Sequence, residues 1–245
     1  MAEARSRDRY LQALGIERWQ LRRPRQDAAA AEISAATPAS DGQVVKFRNP
    51  AAPSGNQPAM DWDSLARCVA DCTRCNLHGG RTQTVFGVGD RAAQWMIIGE
   101  APGAEEDARG EPFVGRAGQL LNAMLQAIGL QREQVYIANI LKCRPPKNRD
   151  PLPEEAQQCW PYLKRQIELV APKVILAVGR IAAQNLLLTD QAIGRLRGKI
   201  HTHAESGIPM VVTYHPAYLL RTPSEKRKAW EDLRLACRAM EQARS

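Results

Sequence analysis

The sequence predicts an α/β fold: a three-layer α/β/α domain around a central four-stranded, mostly parallel sheet, with a flexible N-terminal extension. Three observations carry that expectation. Four short apolar runs, Trp95–Ile98, Val135–Ile140, Lys173–Val178 and Met210–Thr213, have strand length. Helical patterns over Gly118–Ile128, Pro153–Val170 and Ile181–Leu188 separate them, and a last one covers about Ser224–Ala243. Such alternation implies parallel strands with helices on both faces. Between the first run and the first long helical pattern lies Gly99-Glu100-Ala101-Pro102-Gly103-Ala104-Glu105-Glu106-Asp107, continuing to Pro112-Phe113-Val114-Gly115. Glycine permits close backbone approach, and a strand-to-helix loop is where a parallel sheet holds its ligand.

From the N-terminus, residues 1–25 form a short basic segment with scattered apolar side chains. Residues 26–60 are rich in Ala, Pro, Ser, Gly, Asn and Gln. They bury too little apolar surface to offset chain ordering, so a disordered linker is expected. The folded domain is expected over 61–245, opening with a helix capped by Asp63 or Ser64 and carrying Leu65, Cys68, Val69 and Cys72. Pro153, Glu154 and Glu155 suit a helix first turn, by fixed φ and by the helix dipole.

Hydrophobic content of 44% and charged content of 24% over 245 residues suit a soluble globular chain. No apolar run approaches the ~18 residues of a membrane span, and no secretory signal is visible, so a cytoplasmic protein is expected. The formal charge of +8 is compatible with a polyanionic partner without requiring one.

Six cysteines in a chain without an export signal argue for metal or cluster ligation over a disulfide scaffold. Cys72 and Cys75 form a C-x2-C pair; Cys143 and Cys159 form a wide second pair. Zinc fits four thiolates, although structural zinc usually takes two tight pairs. The cations of Lys142-Cys143-Arg144 favour a net-anionic iron–sulfur cluster. Cys68 and Cys237 fall at helix-core spacing and are expected to pack internally.

Asn139 ends the second strand run, and His215 follows the fourth, in Thr213-Tyr214-His215-Pro216. Parallel strands bring both to the sheet edge that carries the Gly99 loop. With Phe113 they offer an amide, an imidazole and an aromatic face, the parts that hold a flat heterocycle.

Taken together and in this order, these motifs resemble the family 4 uracil-DNA glycosylases, the iron–sulfur branch of the uracil-DNA glycosylase superfamily. The likeness runs from about Asp61 to the C-terminus, through the Gly99–Gly103 and Phe113 motifs, Asn139, Lys142-Cys143-Arg144-Pro145-Pro146, His215-Pro216 and the four cysteines. Family members carry Gly or Ala where this chain has Ala101. The resemblance implies release of uracil from single- or double-stranded DNA, leaving an abasic site. It implies a [4Fe–4S] cluster held by Cys72, Cys75, Cys143 and Cys159. Phe113 would stack on the base, Asn139 would read its N3–O4 edge, and Glu106 would shape the C5 side. His215 would donate to O2, and Glu100 with the Ala101 backbone would line the sugar. Leu219, Leu220 and Arg221, with Lys142 and Arg144, would contact DNA; for Leu219 and Leu220 a core anchor is the equal alternative. Two other readings stand beside this one: a uracil- or DNA-binding module without catalysis, and a zinc-stabilised nucleotide-binding domain.

The likeness does not reach residues 7–24, which resemble the N-terminal peptide of the ψ subunit of bacterial DNA polymerase III. That implies attachment to the clamp-loader collar. Tyr10, Leu11 and Leu14 share one helical face, and Ile16, Trp19 and Leu21 follow as anchors. A segment this short is expected to fold on its partner. The protein itself is expected to be a monomer.

Overall fold

The computed structural model describes residues 60–243. The proposed clamp-loader segment and the linker lie outside the described residues. Helix α1 (Trp62–Ala70) is capped by Asp61, whose carboxylate accepts from the Ser64 N–H at 2.8 Å. The cap is therefore Asp61, not Asp63 or Ser64: a carboxylate reaches the amide three residues on. Leu65 and Val69 turn inward, whereas Cys68 is exposed, against the expected core position.

After α1 come β1 (Val88–Gly89), β2 (Trp95–Gly99), α2 (Ala104–Arg109), α3 (Arg116–Ala127) and β3 (Tyr136–Asn139). Then follow α4 (Pro153–Val170), β4 (Val174–Val178), α5 (Arg180–Leu187) and α6 (Ile193–Leu196). The chain closes with β5 (Ile200–Thr202), β6 (Pro209–Thr213), α7 (Pro216–Arg221) and α8 (Lys226–Gln242).

The sheet order is β1-β3-β2-β4-β6-β5. The inner four strands are parallel and match the four expected runs. Two short antiparallel edges, β1 on β3 and β5 on β6, make the described sheet six-stranded instead of four-stranded. Residues of β2 and β4 are buried on both faces, as covered parallel strands require. Their alternation divides the core. Met96, Ile98, Ile175 and Ala177 face α1 and α4 through Leu65, Val69, Leu163 and Ile167. Trp95, Ile97, Val174 and Leu176 face α3 and α8 through Leu121, Leu125, Leu233 and Ala236. Strand β3 lies to one side of β2, and β4 and β6 lie to the other, so the chain reverses its winding beside β2. Ligands bind at the strand C-termini at such a reversal. No helix among the described residues is long and apolar enough to cross a membrane.

Candidate active site

The C-terminal ends of β2, β3 and β6 converge on one recess. Gly99 and Asn139 are register partners at the last rung of the β2–β3 ladder. A Cβ on Gly99 would stand 2.5 Å from Asn139 Oδ1 and 2.6 Å from Phe113 Cζ. Glycine there lets the amide and the phenyl ring share the strand end. Asn139 is 2% exposed, and its Oδ1 has no hydrogen-bond partner among the described residues. A buried acceptor left unpaired costs stability, so it marks a place for a donor.

Phe113 occupies the left-handed region at φ 54°, strained for a bulky side chain. Its loop is over-determined. Glu106 Oε1 accepts from the N–H groups of Val114 (3.0 Å) and Gly115 (3.3 Å), and Oε2 accepts from Gly103 (3.1 Å). Arg132 donates to the carbonyls of Phe113 and Pro112. Gly118 of α3 packs so closely on the Phe113 carbonyl that no side chain fits. Glu106 thus shapes the recess through the backbone that presents Phe113. Its neighbour Asp107 is structural, accepting from Thr82 N and Oγ1.

His215 caps α7: its Nδ1 accepts from Ala217 N–H at 3.2 Å. Nδ1 is therefore unprotonated, and in the neutral ring the proton sits on Nε2. The ring is stacked near Phe113, with centroids 5.6 Å apart. Burial, reinforced by the Arg221 charge and opposed by Glu106, pushes the imidazole down to about 4. His215 is thus a neutral N–H donor at physiological pH.

Glu100 follows β2 directly and is half-buried. Burial and the negative Asp150 push its carboxyl up to about 7, against the pull of Arg180. Asp150 and Arg180 form an ion pair at 2.5 Å. Ala101, beside Glu100, is half-buried as well.

The expected DNA contacts divide. Lys142 is 1% exposed, and its ammonium donates to Asn139 O and Gln166 Oε1, so it does not face phosphates. Burial brings its pKa down to about 8, against the Cys159 and Cys143 sulfurs. Leu219 is also buried, within the α3–α8 core, and does not serve as a wedge. Leu220 is half-buried and Arg221 exposed, so both stay available. Arg144 remains at the surface turn, donating to Asn148 Oδ1 at 2.7 Å. Arg149 is committed to Glu155 through two hydrogen bonds. Sequence reasoning missed Arg132, Asp150, Arg180 and Gln166; only the fold brings the first three to Phe113 and Glu100 and the fourth to Lys142, and no motif announces them.

The four expected ligand cysteines line one pocket, with Arg81, Leu141 and Tyr162 among its other walls. Cys143 and Cys159 are buried, Cys72 and Cys75 partly so. Arg81 donates to Cys143 Sγ at 3.3 Å and to the Cys72 and Ala70 carbonyls. Lys142 N–H points at Cys159 Sγ, also at 3.3 Å. Burial raises both buried thiols, Cys159 to about 12. Four thiols gathered out of water, with N–H donors aimed at two of the sulfurs, fit thiolates neutralised by a cationic metal centre. Among the described residues no three His, Cys, Asp or Glu side chains converge tightly enough to hold a single metal ion.

Comparison with known proteins agrees with this geometry. The family model for the uracil DNA glycosylase superfamily matches residues 86–234. The type-4 uracil-DNA glycosylase of Archaeoglobus fulgidus is 46% identical over 178 residues, covering 70% of this chain and 89% of the relative. That of Thermotoga maritima is 43% identical over 171 residues, covering 69% and 88%. The type-5 uracil-DNA glycosylase of Pyrobaculum aerophilum matches at 32% over 148 residues, 54% of this chain and 64% of the relative. With most of the folded domain and most of the type-4 relatives aligned, this chain belongs to the type-4 branch of the uracil-DNA glycosylase superfamily.

Proposed function

We infer that this protein is a monofunctional uracil-DNA glycosylase, which extrudes deoxyuridine from DNA and hydrolyses its N-glycosidic bond. The observation that carries the reading is the buried, unpartnered Asn139 Oδ1 beside Phe113 and His215. Uracil N3–H supplies the donor it lacks, and the amide N–H₂ donates to O4. Cytosine offers an acceptor at N3 and a donor at N4, so both contacts to the amide are mismatched and the base is rejected. Phe113 stacks on the ring. His215 Nε2–H donates to O2, where charge grows as the bond breaks. Glu100, once ionised, stabilises the cationic sugar and orients water. Leu220 and Arg221, with Arg144, lie towards the DNA. An alkali-labile break in an oligonucleotide carrying one deoxyuridine tests the reaction; tight binding without a break would make the protein a binding module.

Glu100 gives a pH prediction. Its carboxyl ionises near 7, so uracil release should rise through about pH 7 and level off above it. Asp150→Asn removes the like charge, eases ionisation and should move the midpoint to lower pH. Arg180→Gln should move it up. A pH–rate profile measured from 5 to 9 checks both signs; identical midpoints in all three proteins would remove Glu100 from this role.

Cys72, Cys75, Cys143 and Cys159 share one pocket, and the Arg81 and Lys142 N–H groups aimed at its sulfurs suit a net-anionic [4Fe–4S] cluster. Bound there, a cluster would cross-link the segment after α1, the loop after β3 and α4 through these four cysteines, and hydrolysis would need no electron from it. Anaerobically purified protein should carry about four irons and absorb visible light. Cys68→Ser and Cys237→Ser should leave both unchanged. Stoichiometric zinc without visible absorbance would contradict the assignment. For residues 7–24 the reading is a tether to the clamp-loader collar. Full-length protein should be retained by the collar, and a version lacking residues 1–25 should not; equal behaviour would refute the tether.

A further inference from the structure

The buried Lys142 is used by none of the steps above. Its amine lies in a site with 1% exposure, three residues past the base-reading Asn139. Its surroundings show what it holds. Ile140 N–H donates to Gly99 O, so residue 140 turns its polar groups towards β2. Asn139, one residue earlier, turns its carbonyl to the opposite edge of β3. There β1 pairs only with Tyr136 and Ile137 and ends before reaching it. Lys142 folds back and supplies the missing partner: Nζ donates to Asn139 O at 2.9 Å. A second ammonium bond, at 2.6 Å, goes to Gln166 Oε1 on α4. Gln166 is fixed in turn, since its Nε2 donates to Phe86 O (2.9 Å) and Tyr136 Oη (3.1 Å). The Lys142 main chain is anchored at both ends, by Cys159 Sγ and by the Val85 N–H.

We propose that Lys142 is a positioning residue: clamped by Gln166, it completes the hydrogen bonding of β3 at Asn139 and so fixes the aim of the Asn139 amide on uracil. The buried Nζ is held by two short bonds, so the Asn139 carbonyl keeps one direction, and the bond acts on the residue whose own side-chain oxygen is left open for the base. Lys142 acts through Asn139 and touches no substrate. The proposal rests on the glycosylase reading, and the test below separates the two: wild-type release of uracil decides that reading, and coupling between two sites decides this one.

The test is a double-mutant cycle on the full chain, combining Lys142→Met with Asn139→Ala. Each protein is read by single-turnover uracil release and by binding to a duplex carrying non-cleavable 2′-fluoro-deoxyuridine. In the wild-type background Lys142→Met should slow release by on the order of 10–100-fold, as misplacement of a reacting partner by about an ångström does. It should also weaken binding of the modified duplex. In the Asn139→Ala background the same substitution should change neither, because the amide it aims is gone. A loss of equal size in both backgrounds, or no loss in either, would overturn the proposal. Melting temperature and iron content are measured alongside. If Lys142→Met does not fold, Gln166→Met replaces it in the cycle; it keeps the ammonium and removes the clamp, and the same criterion applies.

Discussion

Replacing His215 by Ala is expected to slow uracil release by about 10²–10³-fold while duplex binding stays near its wild-type strength. The reason is where the charge goes. As the N-glycosidic bond lengthens, electrons move onto the base and accumulate at O2. A donor aimed there stabilises the transition state more than the bound substrate, so its loss falls on kcat. His215 suits the task because it is neutral, with a pKa of about 4, and because the Ala217 N–H occupies Nδ1 and leaves the proton on Nε2. A neutral donor also avoids protonating the leaving base outright. The substitution removes the α7 cap as well, which costs about 0.5–2 kcal/mol of stability. His215→Asn keeps a capping acceptor and separates the two effects. If His215→Ala turned over at the wild-type rate in single-turnover assays, the O2 donor would have to be another group. The pH profile gives a second check: above about pH 5 the imidazole is already neutral, so the rise near pH 7 belongs to Glu100.

Asn139→Asp is expected to exchange one base for another. The carboxylate still accepts, but it cannot donate to O4 and repels that oxygen. Sites that lose a specific buried hydrogen-bond match lose discrimination by factors on the order of 10⁴, and uracil release should fall towards that scale. Cytosine offers N4–H₂ as a donor to the new carboxylate. Cytosine release should therefore become measurable in the variant and stay absent in the wild type. The exchange is legible only if the variant folds, and the conservative shape favours that: the Asn139 carbonyl is held by Lys142, and the next residue, Ile140, is held by Gly99 O. A folded Asn139→Asp protein with unchanged base preference would mean that the amide does not touch the base.

Much of this architecture is visible in the sequence because the physics there is local. The inner strands announce themselves as short apolar runs, since both faces of a covered parallel strand are dry. Helix α4 begins at Pro153 and ends at Val170 as expected; proline fixes its first turn, and Ala171 leaves the helix in the left-handed region. The edge strands β1 and β5 escape notice at two and three residues, too short for any periodicity. The six-residue helix α7 is not among the expected helices, although Pro216 suits its first helical position. The cysteines are found by spacing, but the Arg81 bond to Cys143 links residues far apart in the chain. Lys142 is the instructive failure. In a run with Cys143 and Arg144 its charge looks made for phosphate, and only the tertiary fold turns it inward to Asn139 and Gln166. Leu219 and Leu220 are likewise equivalent in sequence, and the packing of α7 on α3 and α8 buries the first and leaves the second partly open.

The measurement that bears most directly on the account is the identity of the free base released. Matched duplexes carrying one deoxyuridine or one deoxycytidine at the same position are incubated with the wild-type protein, and the small-molecule fraction is analysed by mass spectrometry. Free uracil is expected from the first duplex, in amounts equal to the abasic sites formed, and no base from the second. Abasic sites without free uracil, or equal release of cytosine and uracil, would contradict a pocket that reads its substrate through the amide of Asn139.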